Sequence, residues 1–273
     1  MRRNIFEEEL IKRESTDESA YSMIGTEIKR IRTSQSQTLS SIASDLCSIS
    51  YLCKIEKAQL KPNRQLLKEI CKKLNMSEPK VSLLFELKRY LFEMVEAFYK
   101  KETKKIEELY LKCCVFDNYR SKMIELIYLE YHYDLDSADK IAKELLKITS
   151  LMGNDELCVL MVFYAVLCFY QENYLEAVDN LKHIEHKSLN NYLIKIAKYF
   201  CFQCFYKLNY PLTLLYGQEV VESLLQEADY SYAEYIRYLL CLYKINNNMI
   251  EFVSKDLDIL QNPNYKKSIE LFV

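Results

Sequence analysis

The chain has 273 residues, 50% of them hydrophobic, and a formal net charge of -2 at pH 7. A chain of this length and composition can bury a sizeable core, which excludes a largely disordered protein. It contains three glycines and four prolines, so it also lacks the closely spaced glycines of a phosphate-binding loop or a dinucleotide fingerprint, and we expect no cofactor.

Residues 1–22 are predicted to form an N-terminal extension rather than a signal peptide. Five of the first nine residues are charged, whereas a signal peptide needs a continuous apolar segment. The apolar run from Leu157 to Tyr170 is too short to cross a bilayer and predicts a buried helix. We therefore expect a cytoplasmic protein with no membrane partner.

Apolar residues recur at spacings of three and four along most of the chain, which predicts an all-α fold. Most of the ten cysteines lie within these periodic segments. Cysteine in such surroundings packs as a small hydrophobic residue, and disulfides are rare in the cytosol. We expect reduced, structural thiols.

The segment from Ile24 to Ser77 is locally basic. It holds ten lysines and arginines against four acidic residues, a net charge of +6, which leaves -8 for the rest of the chain. A local positive field on a small helical unit attracts phosphate backbones. Four short helices are predicted in this segment: Ile24–Arg32, Leu39–Asp45, Ile49–Lys57 and Arg64–Leu74.

Hydroxyl and amide side chains precede the last three of these helices. Thr38, Ser48 and Asn63 stand where an N-cap residue is expected. Apolar residues of the second helix are spaced to meet those of the third across a tight turn, namely Ile42, Ala43 and Leu46 against Leu52 and Ile55. The third helix keeps an exposed face that carries Ile49, Ser50, Tyr51 and Lys54.

The strings IKRIR, TLSSIA, SYLCKIE and LLKEICKKL follow one another between Ile24 and Met76. In this order they resemble the Cro-repressor-like (Xre) helix-turn-helix domain. The turn before the third helix is one residue shorter than in the commonest form of that family. Lys57 and Ala58 stand where the family usually has Asn-Gly, and alanine tolerates a left-handed cap poorly.

The resemblance implies that the third helix enters the major groove of double-stranded DNA. It places one set of residues near the base edges, namely Ser48, Ile49, Ser50, Tyr51 and Lys54. It places another set near phosphates, namely Thr38, Lys57, Lys61 and Arg64. It also implies an ion pair between Arg32 and Glu56 at the ends of the first and third helices. The alternative, in which the lysines are a solvated face and the serines are simple caps, fits each residue alone but not their ordered combination.

We call the helix-turn-helix segment from Ile24 to Ser77 the head. A helix with an apolar stripe, from Val81 to about Glu102, is predicted to link the head to a series of helical hairpins. These hairpins are Ser121–Ser150, Asn154–His186, Ser188–Gln226 and Asp229–Gln261. The spacing of their starts resembles tetratricopeptide repeats, most clearly where Tyr164, Ala165, Tyr174 and Ala177 take positions used for interhelix packing. The predicted domains are 1–22, the helix-turn-helix domain 23–77, the linker helix 78–102 and the repeats 103–273.

A Cro-like head with tetratricopeptide-like repeats resembles the peptide-pheromone-responsive regulators of Gram-positive bacteria, the Rgg and PlcR type. The resemblance implies a right-handed α-solenoid, a homodimer, and a short signalling peptide on the concave face of the repeats. Aligning Tyr174, Tyr210 and Met249 as equivalent positions puts five candidate peptide-binding residues on that face, namely Lys195, Lys198, Phe202, Arg237 and Lys244. Ordinary solvated helix charges remain the alternative.

Other candidate chemistry is weak. His183 and His186 lack a recognisably spaced third ligand, so no metal site is predicted. Cys201 and Cys204 lie inside an aromatic stretch rather than at an exposed helix start, which favours packing over redox chemistry. The 23 tyrosines suit groove walls or a helical core equally well.

We therefore predict a sequence-specific transcriptional regulator that binds a DNA operator and is controlled by a peptide. An interaction scaffold or antitoxin-like regulator, whose repeats bind a protein partner, is the alternative. An enzyme with a Cro-like head is disfavoured, because the rest of the chain shows no converging catalytic set.

Overall fold

The computed structural model describes residues 22–57, 59–60, 62–76, 78–116, 118–149, 152–182, 184, 188 and 190–271. The regular secondary structure of these residues is helical, as predicted. The helices, with a 3-10 turn at Ile250–Phe252, are α1 (Ser22–Ser34), α2 (Leu39–Ala43), α3 (Ile49–Glu56), α4 (Arg64–Lys73), α5 (Glu78–Lys100), α6 (Thr103–Cys113), α7 (Tyr119–Tyr131), α8 (Leu135–Leu146), α9 (Asn154–Tyr170), α10 (Tyr174–Leu181), α11 (Asn191–Lys207), α12 (Thr213–Gln226), α13 (Tyr230–Asn246), α14 (Val253–Ile259) and α15 (Pro263–Glu270).

The chain divides into two compact units, Met1–Phe163 and Tyr164–Val273, with the boundary inside α9. This division does not test the predicted domain bounds at 22, 77 and 102, which stay predictions. No helix in the described part of the chain is both long enough and apolar enough to span a membrane. Within the first unit, the apolar segment from Leu157 to Phe163 is buried on all sides, as expected for a helix that is hydrophobic all round.

The starts of α2, α3 and α4 are set by local side-chain caps. The side-chain oxygens of Thr38, Ser48 and Asn63 each accept a hydrogen bond from the backbone N–H three residues later. Each cap satisfies a donor that has no partner within the helix. All three predicted N-caps are confirmed.

The turn between α2 and α3 begins earlier than predicted. The predicted second helix ran to Asp45, but α2 ends at Ala43. Ser44 has left the helical conformation, with ψ 131°, and Asp45 is left-handed, with φ 61°. A left-handed residue cannot continue a right-handed helix, so these two residues make the turn.

The first four helices enclose their own hydrophobic core. Ile42 and Ala43 of α2 are buried together with Leu52 and Ile55 of α3, and Leu46 packs against them, which confirms the predicted contact. The other buried members of this core are Ile28, Ile31, Leu67, Ile70, Cys71 and Leu74.

Gly25 lets α1 approach the end of α3 backbone to backbone. A Cβ atom at this position would lie 1.9 Å from the carbonyl oxygen of Ile55, far inside van der Waals contact. Any side chain would therefore push the two helices apart. This role of Gly25 was not predicted from the sequence.

The predicted ion pair between Arg32 and Glu56 joins the same two helices. Arg32 donates from Nε to Glu56 Oε1 at 2.7 Å and from Nη2 to Glu56 Oε2 at 2.8 Å. Its Nη1 donates to the carbonyl oxygen of Gln37 at 2.9 Å. Glu56 is only 5% exposed, and its hydrogen bond raises the pKa of the Arg32 guanidinium. The prediction is confirmed, and the geometry is the bidentate one that gives the strongest pairs.

A second buried polar network joins α7 to the start of α9. The carboxylate of Glu156 pairs with Arg120 and accepts hydrogen bonds at 2.8 Å from the Tyr119 hydroxyl and the Gly153 N–H. Because these groups satisfy the charge of Glu156, the carboxylate can be buried. In the same unit α5 packs against α6 and α7, and α7 against α8. Helix α6 was not predicted from the sequence.

Glu130 on α7 is fully buried. Neither of its carboxylate oxygens has a hydrogen-bond partner among the described residues. Burial raises the pKa of this carboxyl well above its ordinary value, since an ionised carboxylate is poorly solvated there. Glu130 is therefore protonated in the folded protein at pH values where it would ionise in the unfolded chain.

The second unit stacks α10 against α11, α11 against α12, and α12 against α13. Helices α7, α9, α11 and α13, which open the hairpins, begin at Tyr119, Asn154, Asn191 and Tyr230, within three residues of the predicted starts. Each is followed by a left-handed residue, namely Tyr133, Glu172, Asn209 and Asn248. Glycine usually fills this position, so the glycine-poor chain turns its hairpins with other residues. The C-terminal helix α15 was not predicted.

The clearest predicted repeat motif lies where the hairpin of α9 and α10 begins the second unit. Ala165 and Ala177 are fully buried, as expected for interhelix positions. The hydroxyl of Tyr164 donates to Glu176 Oε1 at 2.8 Å, and the rings of Phe169 and Tyr174 lie 5.6 Å apart. The interhelix role of these positions is confirmed.

We predict that Glu56→Ala loosens the head. Removing one partner of a buried pair leaves the other charge uncompensated and costs ~3–5 kcal/mol. Hydrogen exchange of the α3 amides, followed by mass spectrometry, should therefore speed up strongly. The control is Asp139→Ala, which breaks the exposed pair with Lys143 on α8 and should cost under about 1 kcal/mol. Unchanged exchange in α3 of the Glu56→Ala variant would contradict the prediction that Arg32 is left there as an uncompensated buried charge.

We also predict that Glu130 makes folding stability fall as pH rises. The raised pKa of folded Glu130 means that the unfolded chain loses this proton first, above pH ~4.3. As pH rises further, the contribution of Glu130 to the free energy of unfolding falls by up to about 1.4 kcal/mol per pH unit, until Glu130 ionises in the folded state as well. Glu130→Gln should flatten this slope in urea unfolding between pH 5 and 8, whereas Glu108→Gln, at an exposed site on α6, should not. Parallel curves for wild type and Glu130→Gln would contradict it.

Candidate functional site

The first candidate surface is the outer face of α3. Ser48, Ile49, Ser50 and Lys54 are exposed, and Ser50 and Lys54 stand four residues apart on one side of the helix. Tyr51 differs from them, because it is half-buried and packs against the core of the head. The structure thus brings four of the five predicted base-edge residues together on one exposed surface.

The start of α3 combines a cap with a partial positive charge. Ser48 Oγ accepts the N–H of Tyr51 at 3.1 Å, so the hydroxyl proton can still be donated outward. The unpaired amides of a helix start carry about half a positive charge. Lys54 adds a full charge one turn later. This surface can therefore donate hydrogen bonds to base edges or phosphate oxygens.

Two of the four predicted phosphate-binding residues can be located on the surface around α3. Thr38 and Lys57 are exposed, and Lys57 is the C-cap residue of α3. Lys61 and the side chain of Arg64 lie outside the described residues. The contribution of these two residues stays a prediction.

A contact that was not predicted from the sequence holds the turn before α3. The ammonium of Lys73, on the last turn of α4, donates to the carbonyl oxygen of Ser44. It ties α4 to the left-handed turn at Asp45 and so helps to orient α3. No sequence signal points to this contact, because its partners are 29 residues apart.

The five predicted peptide-binding residues of the second unit do not form one cluster. The prediction that Phe202 lies on the surface is wrong, because its side chain is fully buried between α11, α12 and α13. Its ring lies so close to Gly217 of α12 that a Cβ there would be 2.7 Å away. The residue fills the interhelix core and presents no surface to a ligand.

Lys195 and Lys198 are exposed less than predicted and have partners within the repeats. Lys195 forms ion pairs with Glu227 and Asp229, and its hydrogen bond lowers the pKa of Glu227. Lys198 donates to Ser223 Oγ at 3.4 Å. Both lysines link α11 to α12 or to the turn that follows α12.

Arg237 and Lys244, by contrast, line one pocket of about 360 Å³ between α12, α13 and α14. A second pocket of about 790 Å³ lies between α13 and the start of α15. Leu225, Arg237 and Ile259 line both, so the two pockets meet at Arg237. We call the two pockets together the C-terminal groove; the volume of each is in the range of small-ligand sites.

The C-terminal groove has apolar walls and a few polar groups. Leu214, Val221 and Leu240 line the smaller pocket. Arg237 Nη1 lies 4.0 Å from Glu234 Oε2, at the limit of an ion pair, whereas Lys244 lies 2.5 Å from Asp256.

Glu234 has a second role at this groove. Its Oε1 accepts the backbone N–H groups of Gln261 and Asn262, which fixes the start of α15. Because Glu234 is engaged in this way, Arg237 is the cation in the groove best placed to take an anionic group from a ligand.

The remaining sequence candidates do not add a site. His183 and His186 lie outside the described residues. Burial raises the pKa of the Cys201 thiol to about 11 and that of Cys204 to about 12, which keeps both thiols protonated and unreactive. In the described part of the chain, no group of three or more His, Cys, Asp or Glu side chains could hold a metal ion.

No protein-family model matches this chain, and no curated protein does so. Among solved structures, PlcR of Bacillus thuringiensis in complex with the peptide PapR7 and DNA is 18% identical, with 91% of this chain and 99% of that chain covered and a TM-score of 0.48. The apo competence regulator ComR of Streptococcus vestibularis is 14% identical, with coverage of 93% and 97% and a TM-score of 0.49.

The SHP pheromone receptor Rgg2 of Streptococcus dysgalactiae is 15% identical, with 92% of this chain and 100% of that chain covered and a TM-score of 0.41. At these identities and TM-scores the three similarities assign no function to this chain.

Proposed function

We propose that this protein is a sequence-specific DNA-binding transcriptional regulator that reads the major groove with α3. The observation that carries the proposal is that this helix is held by polar contacts at both ends while one face stays exposed. A cap fixes its start, a bidentate buried ion pair fixes its end, and its polar face is exposed within a segment of net charge +6. The proposal assigns no catalytic step to the chain.

The exposed side chains of α3 divide into two kinds of DNA contact. Ser50 and Lys54 reach base edges, because a hydroxyl and an ammonium can donate to the acceptors that purines and pyrimidines show in the major groove. Thr38 and Lys57 lie towards the backbone, where contacts to phosphates set the register without reading sequence. Lys61 and Arg64 extend this second set.

We propose further that the protein acts as a homodimer. A single head of this size contacts too few base pairs to select one site in a genome. Two heads related by a two-fold axis would read half-sites about one helical turn, or a multiple of it, apart.

The ligand proposed for the second unit is a short peptide bound in the C-terminal groove. Apolar walls suit its side chains, and Arg237 suits a carboxylate. Lys244 lines the same groove but is paired with Asp256, so we give Arg237 the larger role. A scaffold or antitoxin-like protein, with a protein partner on its repeats, is the competing function.

We predict that Lys54→Ala and Ser50→Ala each weaken binding to the preferred DNA by ~1–3 kcal/mol, with a smaller effect on random DNA, because they remove base contacts. Lys57→Ala should weaken both alike and lower the salt slope by about 1, because it removes a phosphate contact. The preferred DNA comes from selection out of a randomised duplex library by the full chain, and binding is then measured by fluorescence anisotropy.

Equal losses on preferred and random DNA for all three variants would contradict base readout by α3. A selection that enriches no sequence would contradict the proposed function itself and would favour the scaffold.

We predict that Arg237→Ala weakens peptide binding at least ~10-fold, the usual scale for losing a charged hydrogen-bond partner. Wild-type protein is exposed to a randomised heptapeptide library, and the retained peptides are identified by mass spectrometry and measured by calorimetry. Lys267→Ala, at an exposed cation of α15, is the control and should bind normally. Equal affinities of Arg237→Ala and wild type would contradict this placement of the ligand.

A further inference from the structure

Ile49, the first residue of α3, is a large apolar side chain on an otherwise polar surface. It is 51% exposed. It belongs neither to the buried core of the head nor to the partly buried residues packed against that core. Its neighbours Ser48 and Ser50 are exposed and polar. Packing within the head therefore does not explain an isoleucine here.

The apolar surface at Ile49 is too small to dock a protein. Among the described residues of the head, the other exposed large hydrophobic residue is Leu60, which lies beyond the far end of α3. A stable protein interface buries about 800 Å² on each partner, which one side chain cannot provide. A group that binds at Ile49 therefore has to be small and apolar, and it has to belong to an anionic molecule that the basic surface attracts.

We infer that Ile49 reads the 5-methyl group of a thymine in the operator. This inference rests on the proposed function, since it requires α3 in the major groove, where the first residues of a recognition helix approach the base edges. An isoleucine side chain neither donates nor accepts hydrogen bonds. In the major groove of unmodified DNA, the thymine methyl is the apolar group that distinguishes one base pair from another.

The charge of the head supports this occupant over an apolar ligand in solution. The segment carries a net charge of +6, and Lys54 and Lys57 are exposed on and just after α3. These charges draw a phosphate backbone to the surface. Ile49 is then brought against the base edges, where its exposed side chain packs against a thymine methyl group.

The test removes the methyl group without changing the hydrogen-bonding edge of the base. Deoxyuridine replaces each thymidine, one at a time, in the duplex selected by the full chain. At one thymine in each half-site, wild type should lose about fourfold in affinity, the value of one buried methyl. Ile49→Ala should bind the thymidine duplex more weakly and show no further loss at that position.

Two further variants keep the result interpretable. Ser50→Ala should keep the fourfold effect of deoxyuridine, because its contact is a hydrogen bond. Ile49→Val, which keeps a branched apolar side chain, should keep most of it. The cycle between protein variant and base isolates the contact from general weakening of binding.

Failure of this inference differs from failure of the proposed function. If selection yields a preferred duplex but deoxyuridine changes affinity nowhere, or changes it equally in wild type and Ile49→Ala, then Ile49 does not read a thymine and DNA binding by α3 still stands. If selection enriches no duplex, both fail.

Discussion

The bidentate ion pair between Arg32 and Glu56 is the constraint on which the proposed DNA-binding surface depends. It fixes the end of α3 against the end of α1 while the Ser48 cap fixes its start. Two parallel hydrogen bonds define an orientation as well as a distance. A recognition helix must hold its side chains to within a fraction of an ångström to discriminate bases, and this pair supplies that rigidity from within a small core.

The same junction explains two other features of the head. A buried ion pair by itself adds little net stability, because desolvation offsets the attraction. Close packing therefore has to supply the stability, and Gly25 permits it by letting α1 touch the backbone of Ile55. The hydrogen bond from Lys73 to the carbonyl oxygen of Ser44 holds the turn between α2 and α3, at the start of α3. Orientation comes from polar contacts here, and stability from the apolar core.

Features that depend on local chemistry were predictable from the sequence. The three caps at Thr38, Ser48 and Asn63 follow from residue type and position relative to an apolar pattern. The Arg32–Glu56 pair was predicted through the family resemblance. Contacts across long sequence distances, such as Arg120 with Glu156, left no pattern to read.

The repeats were harder to read because their sequence is degenerate. Successive residues of a helix point about 100° apart, so a register error of one residue moves a side chain from the surface into the core. This explains why Phe202 was assigned to a surface and is buried. The structure places Arg237 and Lys244 in one groove. They are seven residues apart and so lie on one side of α13. The predicted hairpin Asp229–Gln261 included α14, but α15, which completes that groove, was not predicted.

Methylation interference on the selected duplex tests most directly whether α3 reads the major groove. Methyl groups on guanine N7 protrude into the major groove, whereas those on adenine N3 protrude into the minor groove. We expect N7 methylation to block binding in two clusters about one helical turn, or a multiple of it, apart, and N3 methylation to have little effect there. Binding that tolerates N7 methylation throughout the site and is blocked by N3 methylation would contradict major-groove recognition by α3.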